Sequence, residues 1–232
     1  SIVSAFQGVP SFALGMLFGS NVADLTLIFA IVIARTVDGI KVSARIMENN
    51  KWYISLLALP IILGLDGVYS RLDGALLIVS GLFFYARMLK RNHFLRRSTE
   101  YIPQRRLTIF NLATSTTVLL IGSYLTVKYG VLFAESIQIS PIFIGMLVVG
   151  LGTTLPELFF SLHAIKQKTD DLALGDILGT VISDATIVVG ILALINPFAF
   201  TPNIVYVKRI FMVFALLILF QFMRAGRILA KI

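Results

Sequence analysis

Three carboxylates lie towards the middle of long apolar stretches of this chain: Asp24 in 13–34, Glu157 in 141–165 and Asp184 in 172–195. Asp184 follows Asp24 by 160 residues, and the flanking segments ALGMLFGSNVADLTLIFAI (13–31) and ALGDILGTVISDATIVVGI (173–191) align without a gap. Gly15 meets Gly175, Gly19 meets Gly179 and Thr26 meets Thr186. Each stretch is of the roughly 20-residue length that spans a bilayer, so each carboxylate lies near mid-depth. An ionisable group there costs roughly 2.5–3.5 kcal/mol on insertion scales. Accepting that cost twice in register points to a cation site at a repeat interface.

Glu157 closes the run Gly150-Leu151-Gly152-Thr153-Thr154-Leu155-Pro156-Glu157. Pro156 lacks a backbone donor and clashes with the preceding turn, which kinks or unwinds the helix. Gly150 and Gly152 ease that distortion, and freed carbonyls at membrane depth must line a polar cavity. Thr153 and Thr154 add hydroxyl oxygens, although threonine hydroxyls often bond back to their own helix. Ser20 with Asp24, and Thr180 with Asp184, stand four apart and share a helix face. Oxygen-only donors suit hard cations. The Gly15/Gly19 and Gly175/Gly179 pairs allow close helix approach.

The elements that must hold these groups are membrane spans. Hydrophobic residues make up 57% of the 232 residues and charged ones 14%, with mean hydropathy +0.90; soluble chains carry about 25% charged residues. The apolar runs are continuous rather than alternating, so the fold class is an all-α multi-pass membrane protein rather than a barrel. Spans are expected at 12–34, 51–65, 72–89, 107–128, 141–165, 172–195 and 207–223. With no cysteine there is no disulfide or thiolate metal site. The net charge of +8 is gathered in short loops, which reads as topology rather than nucleic-acid binding. Loops 35–51, 87–106, 166–171 and 224–231 are expected on the cytoplasmic side, so the two repeats face opposite ways, as in inverted-repeat transporters. The organisation expected is 1–89 as the end of the first repeat, 90–106 as a basic cytoplasmic loop, and 107–232 as the second repeat. The counterpart of GTTLPE would fall before Ser1, and the second repeat stops before its last span. The chain therefore reads as an internal fragment of a protein with about ten spans, in a prokaryotic cytoplasmic membrane.

GTTLPE followed by ALGDILGTVISD, with ALGMLFGSNVAD in the first repeat, resembles the α-repeat of the sodium/calcium exchanger membrane region, in the cation/Ca²⁺ antiporter superfamily. The resemblance implies alternating-access exchange of Ca²⁺ for Na⁺ or H⁺, with no prosthetic group. It implies ion ligands at Asp24, Glu157, Asp184, Thr153, Thr154, Ser20 and Thr180, and a backbone carbonyl at Gly150. It also implies that 107–128 is a long helix sliding against the core. Thr180-Val181 departs from the usual Ser-Asn, and Asp24 stands where many members carry Asn.

The partners expected are inorganic cations and the bilayer, without nucleic acid. A channel built on oligomeric pore rings fits an internal repeat less well, and an organic-substrate carrier should show a basic or aromatic group at mid-depth. A transporter or channel for another cation, or an inactive half-size relative, is the alternative. No HExxH motif or nucleophile–base pair supports an enzyme. Asp66 and Asp73 read as solvated turn residues, His163 as a helix-end residue, and Asp176 as either an access-path or a non-ligand position.

Overall fold

The computed structural model describes residues 1–36, 50–91 and 105–199, together with 214 and 221. The expected span 207–223, as a span, and residues 92–104 of the basic loop lie outside the described residues. Helix α1 covers Ile2–Phe6, α2 Pro10–Arg35, α3 Asn50–Leu63, α4 Arg71–Arg91 and α5 Arg105–Ser136. Helix α6 covers Pro141–Lys166 and α7 Asp170–Ile195. Among the described residues five helices are long and apolar enough to cross a membrane, and the apolar helix Trp52–Asp66 is shorter. Helix α5 continues eight residues past its expected end, with Lys128 exposed on the helix surface and its Nζ 5.9 Å from the centre of the Tyr129 ring.

The internal repeat is written into the backbone. The bounds of α2 and α7 are related by the same 160-residue offset as their sequences. Both helices turn π-helical at their aspartate, over Asp24–Ile28 and Asp184–Val188. The turns before them match as well. Gly8 and Lys168 both take positive φ, 74° and 59°, and the amides of Val9 and Thr169 donate to Ser4 O and Ala164 O. Helix α1 is thus the counterpart of the end of α6.

Two apolar clusters fix the relative direction of the repeats. One joins Leu25, Ile28 and Val32, from the end of α2, to Leu174, Ile177 and Val181, from the start of α7. The other joins Ala13, Leu14 and Leu17, from the start of α2, to Val189, Leu192 and Ala193, from the end of α7. The two helices therefore run antiparallel, as an inverted repeat requires. Strands β1 (Val68–Tyr69) and β2 (Phe198–Ala199) pair antiparallel and tie the α3–α4 turn to the end of α7.

Glycines set the closest crossings. A Cβ on Gly15 would collide with the Ile142 carbonyl and one on Gly19 with that of Met146, so α2 and α6 meet backbone to backbone. Gly175 and Gly179 have nothing within 4 Å among the described residues, so the second pair does not make the matching crossing there. Asp66 and Asp73 do more than face solvent. Asp66 Oδ1 accepts the Val68 amide at 3.0 Å. Asp73 Oδ2 accepts the Ser70 amide and hydroxyl, while Ser70 Oγ accepts the Asp73 amide, a reciprocal cap on α4.

Candidate functional site

A cavity of about 350 Å³ opens between α2, α5, α6 and α7. Asp24, Ser20, Glu157, Thr153, Thr154, Thr180 and Asp184 all line it. Helix α2 contributes Ser20 and Asp24 from one face, and α7 contributes Thr180 and Asp184 at the same spacing. Ser20 Oγ lies 3.3 Å from Asp184 Oδ2, the contact that joins the two repeats across the cavity; the same hydroxyl is 3.1 Å from Leu17 O. Among the described residues, no lysine, arginine or histidine lines the cavity.

Asp24 is fully buried, and neither of its carboxylate oxygens has a hydrogen-bond partner among the described residues. Glu157 Oε2 is likewise buried and unpartnered. Buried carboxylates are ordinarily paired or hydrogen-bonded, because stripping one of water is costly. Among the described residues no three acidic or imidazole side chains converge as a chelating group. The oxygens are instead distributed around the cavity wall.

Helix α6 presents Glu157 through its break. Pro156 leaves the Gly152 carbonyl without its helical donor, the chain turns at Thr154, and a new helical segment, Leu155–Lys166, begins with Pro156 and Glu157 in its first turn. The proline costs nothing there, and the positive end of the segment favours the carboxylate. Thr153 and Thr154 donate to Gly150 O and Leu151 O, each at 2.9 Å. A hydroxyl that donates to its own helix keeps its lone pairs available to the cavity.

Gly150 does not line the cavity. It packs against Met16 O, the Gly19 Cα and the Ser20 amide, and its carbonyl accepts the Thr153 hydroxyl. Asp176 is half-buried on α7 and outside the lining. His163 is exposed, with its ring 2.8 Å from the Gln167 amide nitrogen. Sequence reasoning missed Ser123 and Thr126 of α5, which complete the polar wall with Met16 and Phe12 beside them. Their signal was a hydroxyl pair three residues apart inside an apolar stretch.

The family model described as sodium/calcium exchanger protein matches residues 107–229. CaxA of Alkalimonas amylolytica is 30% identical over 212 residues, covering 85% of this chain and 65% of that protein. The sodium/calcium exchanger MaX1 of Methanosarcina acetivorans is 30% identical over 118 residues, 51% of this chain and 34% of that protein. The chain thus spans less than two thirds of the length of either relative. The solved sodium-calcium exchanger NCX_Mj superposes with TM-score 0.70 at 23% identity, over 98% of this chain and 74% of that one, a likeness of fold. A family match over more than half of the length, on a fold shared with a solved exchanger, places the chain in the sodium/calcium exchanger protein family.

Proposed function

We propose that the chain forms the ion-binding part of a secondary antiporter that moves Ca²⁺ in exchange for Na⁺ or H⁺ by alternating access. The observation that carries this reading is Asp24: fully buried, facing hydroxyls across a cavity, with both oxygens unpartnered and no basic side chain in the lining among the described residues. Such a carboxylate is stabilised by a bound cation or by taking up a proton. Glu157 and Asp184 supply further charge, and Ser20, Thr153, Thr154 and Thr180 supply neutral oxygens, the donor set of a hard cation. Distributed donors suit an ion that has to leave again, since each can let go in turn. The exchanger named among the relatives supports Ca²⁺ and Na⁺ as the ions.

The antiparallel helix pair supports a mechanism in which one cavity opens alternately to the two sides. The basic loops 35–51 and 87–106 belong on the cytoplasmic side, and the β1–β2 tether joins two loops expected on the opposite side.

The test is Ca²⁺ flux in inside-out vesicles carrying the full-length protein under an imposed Na⁺ or H⁺ gradient, with Asp184→Asn and Glu157→Gln in parallel. Flux driven by one gradient and lost in both variants is the expected result, and the effective gradient names the coupling ion. An inserted protein without flux under either gradient removes Ca²⁺ exchange.

A further inference from the structure

We propose that Thr26 and Thr186 are positioning residues that hold the widened helical turns on which Asp24 and Asp184 are mounted. The inference rests on the antiport reading for its functional consequence, and on the geometry of α2 and α7 for its structural one.

Each aspartate opens a five-residue π-helical segment, Asp24–Ile28 and Asp184–Val188. Such segments arise as one-residue insertions into an α-helix and concentrate at functional sites. One extra residue rotates everything beyond it by about 100° relative to the residues before it. Here that rotation lets the start of α2 turn Ser20 and Asp24 to the cavity while Phe29 and Val32, beyond the insertion, are buried. The direction of the carboxylate therefore depends on the widened turn staying where it is.

Two residues after each aspartate stands a threonine whose hydroxyl donates back four residues: Thr26 Oγ1 to Val22 O and Thr186 Oγ1 to Ile182 O, both at 2.6 Å. The bond spans the turn that carries the aspartate at its centre. Hydroxyls of this kind bend membrane helices and satisfy backbone groups at irregular turns. The bond alone does not widen a helix, because Thr114, Thr116, Thr117 and Thr126 make it along regular α5. What sets Thr26 and Thr186 apart is their place, inside a π segment and two residues beyond a cavity carboxylate, in both repeats. The π segment without an aspartate, Gly145–Val149, contains no hydroxyl residue. Thr186 is also fully buried, and a Cβ on Gly81 of α4 would come 2.5 Å from its Oγ1, so α4 closes directly over the hydroxyl.

The test uses the full-length protein with Thr26→Val, Thr26→Ser, Thr186→Val and Thr186→Ser. Two readouts are taken: the Ca²⁺ dependence of flux, and the rate at which a carbodiimide modifies Asp24 and Asp184, read by mass spectrometry without Ca²⁺ or a gradient. Residues that orient an ion ligand typically change affinity or activity about 10–100-fold when lost. Each valine variant is expected to raise the KM for Ca²⁺ by about tenfold or more. It should also change the carbodiimide rate at its own aspartate and not at the other, with serine restoring both. Valine variants that match the wild type in both readouts overturn the proposal. So does a serine variant as impaired as valine, which would show that the hydroxyl alone does not hold the turn. Should Thr186→Val fail to fold, the exposed Thr26 carries the same test. If the wild type moves no Ca²⁺ while the carbodiimide pattern holds, antiport fails and positioning stands.

Discussion

Replacing Asp24 by asparagine keeps the shape of the side chain and removes its charge. In the structure the Asp24 side chain is fully buried, with both oxygens unpartnered among the described residues. A mid-membrane aspartate costs roughly 2.5–3.5 kcal/mol, whereas an unpaired buried amide costs about 1–3 kcal/mol. The difference favours asparagine by about 1 kcal/mol, taking the middle of both ranges. At about 2–4 °C per kcal/mol for a protein of this size class, Asp24→Asn should melt roughly 2–4 °C above wild type in chelator. Calcium reverses the order. At 100 times Kd an ion stabilises the protein that binds it by about 2.7 kcal/mol, and the variant has lost a ligand charge. The measurement is thermal unfolding of the purified full-length protein in detergent, with chelator and then with saturating Ca²⁺. An ordinary structural hydrogen-bonding role gives a variant less stable under both conditions. That result, or an equal gain from Ca²⁺ in both proteins, refutes the reasoning.

Gly19→Ala should cost about 3 kcal/mol or prevent folding, since the new Cβ meets the Met146 carbonyl, backbone that cannot step aside. Gly122→Ala, inside helix α5 with nothing within 4 Å, should leave stability unchanged or raise it by up to about 1 kcal/mol; equilibrium unfolding in mixed micelles compares the two. Ser70→Ala removes the reciprocal cap with Asp73 and should lower stability by about 1 kcal/mol in the same assay. Tyr85→Phe deletes the hydroxyl that donates to Gly179 O at 2.8 Å, one residue before Thr180. A loss of about 1 kcal/mol is expected by chemical denaturation, and no change would mean that the bond is replaced by water.

The helices and the carboxylates were legible because both follow from simple rules. Continuous apolar runs bounded by basic loops give spans, and an acid inside such a run stands out against its neighbours. The π segments were not legible, because a one-residue insertion leaves composition and hydropathy unchanged; its signature is tertiary, in the way Asp24 and Phe29 come to face different surroundings. The end of α5 was misplaced because Lys128 looks like a boundary in sequence, while a long stem lets it remain on a helix. The two Gly-x-x-x-Gly pairs read alike yet behave differently, since only the Gly15/Gly19 pair has a partner helix among the described residues. Ser123 and Thr126 were passed over because hydroxyls are cheap in a membrane helix and carry little signal without the cavity beside them.

The interleaving of the two apolar clusters bears on how the protein is made. Each cluster takes residues from α2 and from α7, so neither half owns a finished interior. During synthesis α2, α3 and α4 leave the ribosome well before α6 and α7 exist. Through that interval Asp24 lacks the walls that later enclose it, and the nascent hairpin must wait at the insertion machinery with an acid facing whatever surrounds it. The arrival of α7 then supplies both clusters with their missing residues at once. A mutation in α7 should therefore leave early helices inserted but unassembled, exposed to the quality-control proteases of the membrane.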